Sequence, residues 1–484
     1  MIRRSGLVAV AALVPATVHA HSFGRPVQLP MPVWLYIYGA MAALILSFVV
    51  LGFFIGRSHV DRPPRSLELG DGWLVHLLKR GHVVAICQGL LLLLFAFSVL
   101  TGLIGTRDPY RNFNMTFFWI LFALGGTYLS ALIGGWYTTL NPWTTLSRLV
   151  GRWWSSFPVG RFAYPERLAY WPAVILYMGF IGLELFGDIR PFSLSVALLA
   201  YTVINLTGVW LVGQRAWFRH GELFAVMFRL VSMMAPVIYD PDAEGAARVR
   251  LRWPFTGLLR RRVEHRSLLV FLLFMLSSTA FDGLSETKPW FNAFWMDPTG
   301  ILTRWLGDHP LRRYGDVRDW YIRYEMLWLV ISPFLYLGAF ALFLLLGKWM
   351  CRTRARLRDL AMDFGYSLLP IAVVYHVTHY YTLLLDQGVK IRALVSDPFG
   401  WSWNLFGTAI TGRVPILPDM EAIWFSQVWL ILLGHVVSVY LAHAEALRQF
   451  RDTRKALINQ VPMLALMVLF TGFGLWILAQ PLKG

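Results

Sequence analysis

Apolar residues run along this chain in blocks of about twenty, the length that carries an α-helix across a bilayer core. The blocks fall near 32–56, 83–105, 115–136, 168–187, 192–213, 267–284, 326–347, 363–386, 425–445 and 460–481. The pattern predicts an all-α fold, a polytopic membrane helix bundle of about ten transmembrane helices. The 267–284 block is short for a span. The stretch 222–239 is apolar but carries Glu222 and Arg229. It reads as an interfacial or re-entrant helix, with a full span as the alternative.

The first twenty residues have a different pattern. Arg3 and Arg4 precede the apolar run Gly6 to Val14, which is too short to span, and Val18-His19-Ala20 is a small-residue cleavage site. This is the layout of a cleavable signal peptide over 1–20. It leaves 21–484 as a single multi-pass membrane domain whose N-terminus, His21, starts outside. Spans then alternate, and 28 of the 44 Lys and Arg fall in the loops on the inner face, as the positive-inside rule requires. The stretch Lys348 to Arg358 holds five of them. Both termini are expected on the outer face of an inner (plasma) membrane. Two long outside loops, 285–325 and 387–424, are rich in Trp, Pro and Gly.

Composition sharpens this picture. Hydrophobic types make up 57% of the 484 residues and charged types 15%, far below the roughly 25% of soluble chains. The net charge of +17 follows topology and anionic lipid, so no nucleic-acid partner is expected. Two isolated cysteines, Cys87 and Cys351, signal neither a disulfide framework nor a thiolate metal site. HExxH, Walker A, GxSxG and GxGxxG patterns are absent from their required contexts.

Candidate chemistry comes from ionisable residues at membrane depth, which are expensive to place there. His376 and His379 are spaced i, i+3 and share a helix face. His435, on the next span, lies at about the same depth by counting residues at roughly 1.5 Å each. Glu184, Asp188 and Asp282 lie nearer the outer ends of their spans, Asn205 lies within one, and His443 and Glu445 sit near an inner end. Three imidazoles with an open position suit catalytic zinc, and two with a carboxylate suit non-haem iron. The expected metal ligands are therefore His376, His379 and His435, with Asp282 or Glu184 as a further ligand or the catalytic base. A mature N-terminal His21 presents an amine beside an imidazole, a chelate suited to copper. The same groups also suit a transporter or ion-coupled permease, or a non-catalytic copper-handling or assembly subunit.

His21-Ser22-Phe23-Gly24, Pro30-Met31-Pro32-Val33-Trp34-Leu35-Tyr36, Leu46-Ser47-Phe48-Val49-Val50 and the Ala280-Phe281-Asp282-Gly283 turn carry a likeness across most of the chain. With its many spans, the chain resembles the bacterial membrane proteins of the fenitrothion hydrolase family. The resemblance implies hydrolysis of organophosphorus triesters with release of a nitrophenol, and a possible second membrane subunit; a small apolar substrate of that kind, dissolved in the lipid bilayer, could enter between helices. A divalent metal that activates water would supply that chemistry.

Overall fold

A computed structural model of the chain describes residues 32–55, 66–68, 81–241, 247–410, 414–450 and 452–480. The proposed signal peptide and His21 lie outside these residues. The fold is a bundle of helices with one small sheet. In chain order the elements used below are α1 (Val33–Phe54), β1 (Ser66–Glu68), α2 (Gly81–Ile104), α3 (Phe113–Leu132), β2 (Ile133–Gly134), α4 (Pro142–Trp153), α5 (Trp171–Phe186), α6 (Pro191–Val212), α7 (Leu223–Ser232), β3 (Val237–Pro241) and β4 (Ala247–Arg252). They continue with α8 (Arg266–Ser285), α9 (Lys288–Trp295), α10 (Ile301–Leu306), α11 (Tyr314–Met350), α12 (Leu369–Gln387), α13 (Met420–Gln449) and α14 (Thr453–Ala479).

Among the described residues, nine helices are long and apolar enough to cross a membrane. They match nine of the ten expected blocks. The block at 168–187 forms α5, an apolar helix of 16 residues, or about 24 Å. Pro172 starts it and Gly187 ends it. α1 and α2 keep most of their surface exposed, whereas the apolar stretch of α8 is 89% buried. An apolar circumference belongs to a helix surrounded by others. α8 is that hub, packed against α5, α11 and α12. Its buried polar residues Ser277, Ser278, Thr279 and Asp282 therefore lie inside the bundle and away from its outer surface. Ser332 of α11 donates to Ser277 at 2.8 Å.

The 222–239 stretch resolves into the ten-residue α7 followed by β3, so it is not a full span. Two charged side chains cap it. The Glu222 carboxylate accepts from the Phe224 and Ala225 N–H groups at 3.0 and 2.6 Å. At the other end, Arg252 of β4 donates to the carbonyls of Ser232, Met233 and Ala235 at 3.1, 2.8 and 2.9 Å. An acid at the N-terminus and a base at the C-terminus both oppose the helix dipole and satisfy orphan backbone groups. The same arginine ties α7 to the small sheet, whose order is β1-β4-β3-β2 with only the β2–β3 pair parallel. Gly135 follows β2 with φ of 87°, and a Cβ there would lie 2.0 Å from the Tyr239 carbonyl oxygen. Only glycine lets α3 turn this closely past β3. Asn141 caps α4 by accepting from Trp143 and Thr144 N–H.

Glu222 is fully buried and also accepts from Tyr201, Tyr137 and Asn141. Burial pushes its pKa from 4.5 up to about 7, against the lowering effect of these hydrogen bonds. A raised carboxyl contributes stability fully below its unfolded value, and that contribution is lost as pH climbs through the folded value. The window is therefore about 4.5 to 7. The thermal midpoint of the wild type should fall between about pH 5 and pH 8, and the slope should flatten in Glu222→Gln. Parallel slopes in melts of the two proteins would contradict this.

Candidate functional site

The candidate site is a cavity of about 840 Å³ lined mainly by α3, α5, α8 and α12. Its position follows from α8. That helix ends in Ala280-Phe281-Asp282-Gly283, which buries Asp282 one turn before the end. A Cβ on Gly283 would lie 2.7 Å from Ile477, so the glycine lets α14 close over the back of this turn. α12 crosses in front and brings three side chains within about one helical turn to the cavity: His376, His379 and Tyr380.

Asp282 organises the floor. His379 Nε2 lies 2.8 Å from Asp282 Oδ2, and the Tyr380 hydroxyl donates to the same oxygen at 2.7 Å. A carboxylate only accepts, so His379 donates through Nε2, and its neutral ring carries the lone pair at Nδ1. Glu184 of α5 lines the opposite wall. His376 stands one turn below His379, with its ring 4.9 Å from Tyr380 and 6.1 Å from Tyr128 of α3. Its Nε2 is buried with no hydrogen-bond partner among the described residues. Most of the remaining wall is apolar or aromatic, with Trp119, Ile120, Phe180 and Ile181 prominent. At one end of the bundle the 105–112 and 187–190 loops surround the cavity with Arg107, Asp108, Asp188 and Arg190.

His435 does not line this cavity. It is completely buried on α13, hydrogen bonded through Nδ1 to the Ile431 carbonyl at 2.8 Å, with its ring 5.9 Å from Tyr375. The physical reason is angular. Tyr375 and His376 are adjacent, and adjacent positions on a helix diverge by about 100°. α13 packs on the Tyr375 side, whereas His376 faces α3. The register also differs from residue counting. Gly434 sits against Val374, where a Cβ would fall 2.3 Å from the valine, and Gln427 bonds the Thr378 carbonyl. This places His435 deeper than His376. Among the described residues, no three His, Cys, Asp or Glu side chains group as a metal ion would need. The cavity nevertheless holds ligand types that suit a divalent ion in His376, His379, Asp282 and Glu184, and the unpartnered His376 nitrogen leaves a donor for one.

Other polar residues noted in the sequence have structural partners. Asn205 accepts from Trp217 Nε1 at 2.8 Å, and His443 lies between the Gln460 Oε1 and Ile55 carbonyl oxygens at 3.0 and 3.1 Å. The loop tryptophans Trp290, Trp295, Trp305, Trp320, Trp401 and Trp403 do not line the cavity. Trp290 and Trp295 instead pack in an aromatic cluster on the start of α11. Two contributors were not singled out from the sequence. Tyr380 stood within the same run as the histidines and became a partner only when α8 brought Asp282 to it. Trp119 lies in Thr116–Leu124, a π-helical stretch inside α3. Such stretches concentrate at functional sites and leave no simple sequence signature.

The fold is that of a helical, multi-pass membrane protein with a largely apolar cavity that holds a few ionisable side chains within the bundle. No protein-family model matches the chain, and neither does any curated protein or solved structure.

Proposed function

We propose that this cavity is the active site of a membrane-embedded hydrolase acting on organophosphorus triesters or esters of similar polarity. The observation that carries the reading is the 2.8 Å His379–Asp282 pair on the floor of a cavity with largely apolar walls. An aryl triester is apolar, neutral and bulky, and such walls would hold it. His379 takes a proton at Nδ1 from an attacking water, while Asp282 fixes the tautomer and stabilises the imidazolium. The water oxygen bonds to phosphorus, the phosphorus–aryloxy bond breaks, and the nitrophenolate leaves with the electron pair. The proton returns from His379 to solvent or product. One triester and one water thus give one phosphate diester and one nitrophenol. Tyr380 holds Asp282 in place, and Glu184 is a second base on the facing wall.

A divalent metal would have to draw His376, Glu184 and Asp282 together, since among the described residues no three such side chains group around one point. It would add Lewis acidity at the phosphoryl oxygen and a more acidic water. Copper at His21 and a second membrane subunit are kept as proposals that rest on the sequence. In the same reading the chain lies in a bacterial inner membrane, with the loop end of the cavity facing outside, as the distribution of Lys and Arg supports.

The test is nitrophenol release by purified protein in liposomes, for the wild type and His379→Gln. A loss of about 10²-fold or more in the variant, with the fold intact, is expected for removal of a general base. Equal rates would defeat the assignment. Metal content by plasma mass spectrometry should be read on the same wild type beside a His376/His379/His435 triple alanine. Metal lost in the triple variant supports the added cation, and metal retained in it removes these histidines as ligands. The line of ionisable groups from the loop end inward, through Glu184 and Asp282 to His376, also favours a second reading, an ion-coupled permease. Substrate uptake by proteoliposomes without product would select it.

A further inference from the structure

We propose that the substrate is a membrane-dissolved amphiphile that enters the cavity sideways from the lipid, between α3 and α5, past a gate formed by Trp119 and Phe180. This rests on the hydrolase reading for what happens at Asp282 and His379, but the route of entry can be tested without turnover.

The geometry of α5 makes the case. Ile175 and Leu183 are 66% and 45% exposed, and a Cβ added at Gly179 or Gly182 would meet nothing within 4 Å. These four positions fall on one face of the helix at about 100° per residue, so that face looks out to lipid. Glu184 and Tyr177 lie on the opposite face and line the cavity. Phe180 falls on the flank between them. It lines the cavity while remaining only partly buried. Trp119 of α3 has the same double character. The two rings meet across the seam at 5.1 Å with planes 32° apart. At that place one layer of aromatic side chain separates the cavity from the outer surface of the bundle.

Two further observations favour passage here. Trp119 is carried on the π-helical stretch Thr116–Leu124, a kind of segment that recurs at functional sites. The polarity of the cavity is also graded. Trp119 and Phe180 at the seam are apolar, as are Ile120, Leu124 and Ile181 of its walls, and Asp282 and His379 form its polar floor. The loop end is ringed by Arg107, Asp108, Asp188 and Arg190, a poor entrance for an alkyl chain that would have to leave lipid and cross charged groups. An amphiphile entering through the seam would place its ester group at the His379–Asp282 floor and leave its chains along the apolar wall.

The experiment uses the full chain in liposomes. Trp119→Cys and Phe180→Cys are introduced together with Cys87→Ala and Cys351→Ala, and a short bismaleimide bridges the seam. Rates are compared before and after bridging for dioctyl nitrophenyl phosphate, which resides in lipid, and for its water-soluble dimethyl analogue. The expected result is a fall of about ten-fold or more for the dioctyl ester, with the dimethyl ester changed less than about two-fold. Equal loss of both, or no loss of either, overturns the lateral route. If the bridged variant does not fold, a diazirine-bearing dioctyl phosphotriester is photolysed with the wild type and the labelled residues are mapped. Label on the cavity-facing residues of 113–132 and 171–186 is expected, and label confined to lipid-facing residues overturns the proposal. Label in the cavity with no hydrolysis of either ester by the wild type would leave the route standing and defeat the hydrolase reading.

Discussion

Asp282→Asn is expected to lower ester hydrolysis by about 10³-fold while leaving the protein folded. The amide has nearly the shape of the carboxylate, but His379 and the Tyr380 hydroxyl both meet Oδ2, so Tyr380 keeps its acceptor only where the amide oxygen takes that place. The amide NH2 group donates where the carboxylate accepted. If that group faces His379, the imidazole satisfies it by shifting its proton from Nε2 to Nδ1, and the nitrogen that faces the water loses its lone pair. If the amide oxygen faces His379, the tautomer is kept, but the negative charge that stabilised the imidazolium is gone. Both arrangements remove general-base catalysis. The check is nitrophenol release at matched protein, with thermal midpoints measured in parallel. A variant that hydrolyses at the wild-type rate would mean that the His379–Asp282 pair does no chemistry.

Glu222→Ala should be the most damaging single substitution outside the cavity, by roughly 3–5 kcal/mol. The carboxylate caps α7 and is the common acceptor for Tyr201, Tyr137, Asn141 and two backbone N–H groups. The residue has no exposed surface, so bulk solvent does not reach these donors. Alanine leaves each donor buried without its acceptor. Glu222→Gln keeps an oxygen and should lose much less. Thermal unfolding in detergent reads both variants, and a loss below about 1 kcal/mol for alanine would show that the donors find other partners. The α7 cap also anchors the cavity indirectly, because Met227 of this helix lines it.

Much of the fold was legible because a bilayer imposes a simple rule. Backbone groups in lipid must bond within their own segment, so a run of about twenty apolar residues can only be a helix. This is why the blocks at 32–56, 192–213 and 267–284 reappear as α1, α6 and α8 within a few residues. The 222–239 stretch stayed ambiguous, because hydropathy could not show that Glu222 and Arg252 cap both ends of a ten-residue helix. Arg252 reaches α7 from 20 residues downstream of Ser232. The small sheet was missed for a related reason. β2 has two residues and pairs with β3 more than a hundred positions away, so its partner is set by tertiary contact.

The candidate site divides in the same way. Its ionisable residues announced themselves one by one, since charge at membrane depth is costly and therefore rare. The sequence by itself determined that the chain is a multi-pass helical bundle and that Glu184, Asp282, His376 and His379 are unusual within it. Only the tertiary structure decided which of them meet. It joined Asp282 to His379 and Tyr380 across α8 and α12 and turned His435 towards Tyr375. It also closed the outer wall with Trp119 and Phe180. The reason is geometric: depth along a helix can be counted from residue numbers, but direction around the helix gains a partner only when the neighbouring helices are in place.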